Sequence, residues 1–244
     1  MKKKINIQND DGVIELRGSF QDAALYLNKE PIQYTWFAEI GSTWRFHIAK
    51  GLPPGTIKEN LENQERVKKG ILTEEDFYAI VDYYKQFLAR GEYEFGYYKL
   101  HKHHDWINIP KNDEFKHFDY YGGCPDLIPT QNNIKESWVE FYIEQIKEGT
   151  KPAIIILQNE ESCLNFILDG HHKFLAYRKA NAEPHALIIT KLNKSNLSVT
   201  EALDLAKKMN CNNEKYINSI KEEKEMELYT MRLDLNKTYQ EIEM

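Results

Sequence analysis

The apolar positions of LTEEDFYAIVDYYKQFLARGE recur at helical spacing: Phe77, Ile80, Val81, Tyr84, Phe87 and Leu88 trace one stripe. Thr73, followed three residues later by Asp76, makes a capping-box start, and Gly91 supplies a stop. A second helical pattern lies in SWVEFYIEQIKEG, where Trp138, Phe141, Tyr142 and Ile146 share a face. Ser137 is placed to cap this helix and Gly149 to end it. Next, AIIIL at 153–157 is an apolar run of buried-strand type, QNEESC a polar turn, and LNFIL at 164–168 a returning strand. A short helix then runs to Asn181 and Pro184, and HALIITKL gives a third strand. The predicted order is helix, strand, strand, helix, strand.

Elsewhere the pattern is mixed. KINIQ and VIELRG flank NDDG, whose Asp-Gly pair tolerates positive φ, so residues 4–17 suggest a hairpin. QYTWFAEIGSTWRFHIA repeats the idea around Gly41 and Ser42, and GLPPG at 51–55 ends the strand-rich stretch because proline cannot donate to a ladder. Residues 92–126 are aromatic, His-rich and weakly periodic, which reads as a loop-rich connection. SVTEALDLAKKMN at 198–210 is a helix opened by Ser198 or Thr200, and EKYINSIKEEKEME at 214–227 is a helix with a solvated, charged face. Alternation from Met231 through Leu235 suggests a strand returning to the first hairpins. These patterns predict an α+β fold in three parts: an N-terminal α+β region over 1–110, a core over 111–197, and a C-terminal helix and tail over 198–244 packed on the rest.

Composition narrows the classes. A chain of 244 residues with 12% aromatic content can bury a core without disulfide staples. Its net charge of −6 repels a phosphate backbone, so any contact with nucleic acid is confined to a local patch. MKKK followed by INIQNDDG has neither the apolar stretch of a secretion signal nor the face of a transit peptide, and no run reaches bilayer-spanning length. Cys124, Cys163 and Cys211 are odd in number and widely spaced, as reduced thiols are. A cytoplasmic protein without a membrane segment is expected.

The densest chemistry lies in FILDGHHKFLAYRKA, residues 166–180. Where a strand passes through a glycine into a helix, the first-turn N–H groups lack partners and the helix dipole adds positive charge, which together attract an anion. Gly170 has no Cβ to hold a phosphate oxygen off those amides, and Lys173 adds a cation on the same turn. His171 and His172 add donors whose charge changes near neutral pH. Asp169 repels a phosphate, so its jobs are capping the helix, holding magnesium, or taking a proton from an attacking hydroxyl. The plain alternative is an Asp-Gly turn followed by ordinary capping and solvation.

LNFILDGHHKFLAYRKAN, preceded by a helix and then KPAIIIL, resembles the core of the ParB and sulfiredoxin superfamily over residues 125–192. There, a helix ending in Gly leads to a Pro-then-apolar strand, and a second strand reaches a Gly-led basic turn followed by an Ala-rich helix. The turn reads Gly-Glu-Arg-Arg in ParB proteins, Gly-Cys-His-Arg in sulfiredoxins, and close to Asp-Gly-His in the free-serine kinases. Gly170, His171, His172 and Lys173 stand at those positions. The resemblance implies a nucleotide-phosphate site, taking ATP, ADP or CTP with magnesium, in a kinase or nucleotide hydrolase. Gly170, His171, His172 and Lys173 would hold phosphates, and Asp169 or His172 would accept the proton or contact the metal. The sulfiredoxin cysteine is replaced by His171, which excludes sulfinic-acid repair, and Lys173 stands where most relatives have arginine.

Two further stretches carry candidate chemistry. HKHHD at 101–105 offers His101, His103 and His104, with His117 nearby, as metal ligands, but no Cys or Glu stands at a familiar spacing. YYGGC at 120–124 puts a thiol after two glycines, with Pro125 where a basic turn would be required. Three functions remain open at this point: a nucleotide-dependent enzyme, a metal-dependent nuclease, and a non-enzymatic module with a protein partner on residues 1–110 and the charged tail.

Overall fold

Every residue of AIIILQN is buried, because the strand lies inside a sheet covered on both faces. The computed structural model describes residues 1–18, 22–37, 44–50, 61–101, 114–121, 126–131, 133–160, 162, 164–193, 195–226 and 239–241. The chain runs through β1 (Lys2–Ile7), β2 (Ile14–Gly18), β3 (Asp22–Leu27), β4 (Glu30–Phe37), β5 (Trp44–Ala49), α1 (Leu61–Lys69) and α2 (Glu74–Tyr84). It continues through β6 (Gly91–Leu100), β7 (Lys116–Tyr121), β8 (Asp126–Pro129), α3 (Glu136–Lys147), β9 (Ala153–Asn159) and β10 (Leu164–Asp169). Last come α4 (His171–Lys179), β11 (His185–Lys191), α5 (Val199–Lys208), α6 (Glu214–Met226) and β12 (Tyr239–Glu241). The fold is α+β, and the order α3, β9, β10, α4, β11 is the order read from the sequence.

The described strands form two sheets. One runs β1-β6-β11-β9-β10-β8, with β12 also on β6; the other runs β2-β3-β4-β5-β7. Pairing is parallel between β9 and β11 and between β8 and β10. Alternation along β9 decides the layers. Ala153, Ile155 and Leu157 face a core shared with Phe77, Ile80 and Val81 of α2 and with Leu16 and Leu25 of the second sheet. Ile154 and Ile156 face Phe174 and Tyr177 of α4. Tyr34, Trp36 and Phe46, on the second sheet, pack with Leu205, Tyr216 and Ile220 of α5 and α6. α4, the first sheet, the second sheet and the pair α5 and α6 thus stack in that order, with α1 and α2 sharing the core on the inner face of the first sheet. Two side chains tie the sheets together: Gln33 Nε2 donates to the Pro129 carbonyl at 2.9 Å, and Lys191 Nζ to that of Leu16 at 2.7 Å.

Local signals are realised closely. Thr73 and Asp76 form the capping box of α2, and Ser198 with Glu201 forms that of α5. β4 and β5 pair antiparallel as expected, although their connecting turn and GLPPG lie outside the described residues. Four expectations are corrected. β1 and β2 form no hairpin: β1 pairs β6, and β2 pairs β3 in the other sheet. Residues 92–126 are not all loop, because Tyr93, Phe95 and Tyr97 alternate inward along β6, which pairs β1, β11 and β12. β7 is a further strand there. Lys135, not Ser137, precedes α3, and its side chain makes no cap. The charged run of α6 is not simply solvated, since Glu223 and Lys224 are buried. The strand expected from Met231 to Leu235 lies outside the described residues.

The first sheet takes β1 and β6 from residues 1–110, β8 to β11 from 111–197 and β12 from the tail, so strands of all three parts interleave. Among the described residues no helix is long and apolar enough to cross a membrane.

Lys224 Nζ lies 2.9 Å from Asp22 Oδ2, with both side chains nearly inaccessible, and 3.8 Å from Glu223 Oε2. Removing one partner strands a buried charge. Lys224→Ala is expected to cost about 3–5 kcal/mol in urea unfolding, whereas Lys221→Ala, on the exposed side of α6, changes stability by under about 0.5 kcal/mol.

Candidate functional site

The pairing of β10 with β9 is irregular between Ile167 and Asp169, so the last residue of the strand is re-aimed just before the helix. Gly170 follows with φ of 96°, a left-handed conformation. A Cβ there would stand 3.1 Å from Ile154 Cα and 3.5 Å from the Ala153 carbonyl oxygen, so the turn is pressed onto the start of β9. The Gly170 carbonyl accepts the first helical bond of α4, from Phe174 N–H at 2.8 Å. Strand becomes helix with one residue between, at the carboxyl end of the parallel pair β8 and β10. Ligands favour such strand ends in open sheets.

The two histidines turn toward the connection between β8 and α3. The His171 ring is fully buried, and its Nε2 accepts from the backbone N–H of Thr130 at 3.0 Å and of Gln131 at 3.3 Å. That leaves the proton on Nδ1, 2.9 Å from the terminal amide of Gln131, whose oxygen must be the atom turned toward the ring to accept it. Burial pushes this imidazole down to about 3, against the upward pull of the Asp169 charge. His172 Nε2 accepts from Lys135 N–H at 3.0 Å. Burial also lowers its pKa, opposed by Asp169 and by a hydrogen bond to the Asn133 backbone. Both rings are neutral props for the main chain of Thr130, Gln131 and Lys135, and Thr130 Oγ1 adds a 2.6 Å bond to the Ile167 carbonyl. This corrects the expectation that the imidazoles are titrating phosphate ligands and that the His172 ring is a proton acceptor: their acceptor nitrogens already hold the main chain.

Asp169 and Lys173 are differently placed. Lys173 Nζ donates to Asp169 Oδ2 at 3.0 Å; the ammonium side chain is 6% exposed and the carboxylate side chain 42%. Burial pushes the Asp169 carboxyl up, but the charge and hydrogen bond of Lys173, with His171 and the Gly170 backbone, more than offset it. The net pKa lies below the usual value. The carboxylate is thus ionised, surrounded by protein, and still reachable by water: it lies in a recess. Among the described residues the backbone N–H groups of His172 and Lys173 find no acceptor, and they point back along the α4 axis. Tyr142 of α3 closes one side, its ring centroid 6.0 Å from Lys173 Nζ. Asp169 also raises the phenol pKa of Tyr142 and of Tyr84, after burial itself.

Of the residues predicted from sequence, Asp169, Gly170 and Lys173 meet at the recess, with His172 there through its amide alone. Thr130, Gln131, Lys135 and Tyr142 were missed. The first three contribute backbone N–H groups, which every residue but proline carries, so no side-chain pattern reveals them. The histidine-rich loop is only partly described: His101 follows β6, and His103 and His104 lie outside the described residues. His117 is on the other sheet, 3.5 Å from the Met209 carbonyl. No group of three or more His, Cys, Asp or Glu suited to a metal occurs among the described residues. Cys211 is free and buried; Cys124 and Cys163 lie outside the described residues. Comparison with protein-family models, curated proteins and solved structures yields no match.

Protonating His171 would set an N–H against two N–H donors. The unfolded ring titrates near about 6.5 and the folded one at about 3. Between those values the unfolded chain holds more protons, and stability falls as pH drops. Urea unfolding between pH 7.5 and 5 is expected to show this loss. His171→Gln, less stable at neutral pH, loses less on acidification, and equal slopes for the two proteins contradict the assignment. Gly170→Ala, strained at its φ and crowded by Ile154, is expected to lower stability by about 1–3 kcal/mol in the same measurement.

Proposed function

We propose that the chain binds a nucleotide, or another phosphate-bearing small molecule, at the start of α4 and carries out phosphoryl transfer or hydrolysis there. The observation that carries the reading is the pair of backbone N–H groups, of His172 and Lys173, without acceptors among the described residues and beside an ionised carboxylate in a recess. Amides at a helix start bind phosphate oxygens; the missing Cβ of Gly170 faces Ile154 and Ala153 of β9, so the glycine serves the site by allowing the tight turn and not by clearing space for a ligand. Lys173, held by Asp169, adds positive potential from beneath and fixes the carboxylate. With both imidazoles engaged, Asp169 is the proton acceptor for an attacking hydroxyl. The resemblance to the ParB and sulfiredoxin superfamily supports the same placement of phosphates and suggests ATP, ADP or CTP.

Magnesium fits this arrangement in one way. A single carboxylate, Asp169, would share the ion with the substrate's own phosphates, in place of its role as proton acceptor. When bound, the ion neutralises charge on the phosphate chain.

Calorimetric titration with nucleoside mono-, di- and triphosphates, with and without magnesium, tests the proposal. Saturable binding by the wild type is expected. Lys173→Ala, which keeps both amides but removes the ammonium, should weaken it about tenfold. Lys173→Pro, which removes one of the two amides at a first-turn position where proline is tolerated, should abolish it while unfolding stays cooperative, and unchanged affinity in Lys173→Pro overturns the reading. Asp169→Asn should retain binding and lower turnover by roughly 10²–10⁴-fold; tight binding without turnover in the wild type would make the chain a ligand-binding module.

A further inference from the structure

α3 carries more apolar surface than one face can bury. Val139 and Tyr142 turn inward, while Trp138 and Phe141 stay 40% and 42% exposed. The expected single stripe of Trp138, Phe141, Tyr142 and Ile146 is therefore split. Trp138, Phe141 and Gln145 form their own row and do not simply face water. They line a groove of about 410 Å³, and its opposite wall is the end of α1, with Glu65, Lys68 and Lys69. The two rings meet edge to face at 5.7 Å. Lys68 Nζ stands 6.0 Å from the Trp138 ring and 2.9 Å from Glu65 Oε1. Lys69 has no ion pair among the described residues. A pocket in the size range of small-ligand sites thus has an aromatic floor, a cationic wall, one carboxylate and one amide.

The groove adjoins the recess through Tyr142. Its ring lies 6.2 Å from that of Trp138 and 5.2 Å from that of Phe141 on one side, and 6.0 Å from Lys173 Nζ on the other. Asp169 and Glu65 both act on its hydroxyl. We infer that the groove between α1 and α3 seats a planar heteroaromatic base, so that one nucleoside polyphosphate spans both places, its base on Trp138 and Phe141 and its phosphates at α4. The inference rests on the phosphate reading of α4 and adds the part of the ligand that reading leaves undefined. Rings stack on exposed aromatic side chains whatever their hydrogen-bonding pattern. Glu65 and Gln145 are the groups able to select among bases by accepting from or donating to their edges. Lys68 and Lys69 favour ligands bearing negative charge.

The test uses the full chain, with Trp138→Ala and Phe141→Ala, both at partly exposed positions and checked for cooperative unfolding. Each is titrated with the four ribonucleoside triphosphates and with inorganic tripolyphosphate. Expected is at least tenfold tighter binding of one triphosphate than of tripolyphosphate by the wild type, with a change in tryptophan emission that Trp138→Ala removes. Each variant should lose tenfold or more for that nucleotide and less than twofold for tripolyphosphate. Wild-type affinity for the nucleotide in both variants overturns the groove, as does equal affinity of the wild type for nucleotide and tripolyphosphate. If the wild type binds neither, the phosphate reading fails, and titration with the four free nucleosides decides the groove separately: saturable binding lost in Trp138→Ala sustains it, and no binding overturns it.

Discussion

A left-handed residue pressed against a neighbouring strand governs this site. Gly170 has no side chain to collide with Ile154, so β10 can end and α4 begin within one residue. The side chains of Asp169, His171, His172 and Lys173 then diverge instead of sharing a face. Asp169 is delivered to the recess by the irregular pairing before it. His171 and His172 turn to the β8–α3 connection, and Lys173 folds back beneath Asp169. A longer turn would leave the first helical amides farther from the carboxylate. A Cβ at Gly170 would crowd Ile154 at 3.1 Å, so the turn and the start of β9 would have to shift apart by a few tenths of an ångström.

The histidines show how a motif suited to chemistry can be used for support. A neutral imidazole accepting two main-chain N–H groups satisfies donors that would otherwise be buried without partners, each worth about 1–3 kcal/mol if left so. By holding Thr130, Gln131 and Lys135 the rings fix where α3 begins, and α3 carries both Tyr142 over Lys173 and the Trp138–Phe141 row to the groove. The charged part of the site is correspondingly small: one carboxylate, one ammonium and the open end of a helix. The Lys173 side chain, 6% exposed, is screened little by water, whereas the Asp169 carboxylate, 42% exposed, keeps solvent on its open side.

The two-sheet stack makes this geometry rigid. α4 lies on one face of the first sheet and the second sheet covers the other. Gln33 from the second sheet bonds Pro129, the residue before the Thr130 that His171 and Ile167 hold. The connection is therefore braced from both sides of the sheet. The order from α3 to β11 is the one that the local patterns along the chain predict. The second sheet carries α5 and α6 on its outer face.

The sequence alone determined what depends on near neighbours. The capping boxes at Thr73 and Ser198, the fully apolar β9, the strand-to-helix turn at Gly170 and the Asp169–Lys173 spacing are all decided within a few residues, where backbone preference and side-chain reach act directly. Tertiary structure alone decided the partners of β1, β2 and β6. NDDG carries a hairpin signal, but Ile7 and Ile14 found partners in different sheets, and the period-two alternation of Tyr93, Phe95 and Tyr97 mattered only once β1 and β11 lay beside them. It also decided that His171 and His172 would accept amides instead of greeting a ligand, and that Trp138 and Phe141 would remain open. A main-chain N–H leaves no mark in the sequence, and the outward turn of one aromatic row depends on which side of α3 the sheet and α4 happen to fill.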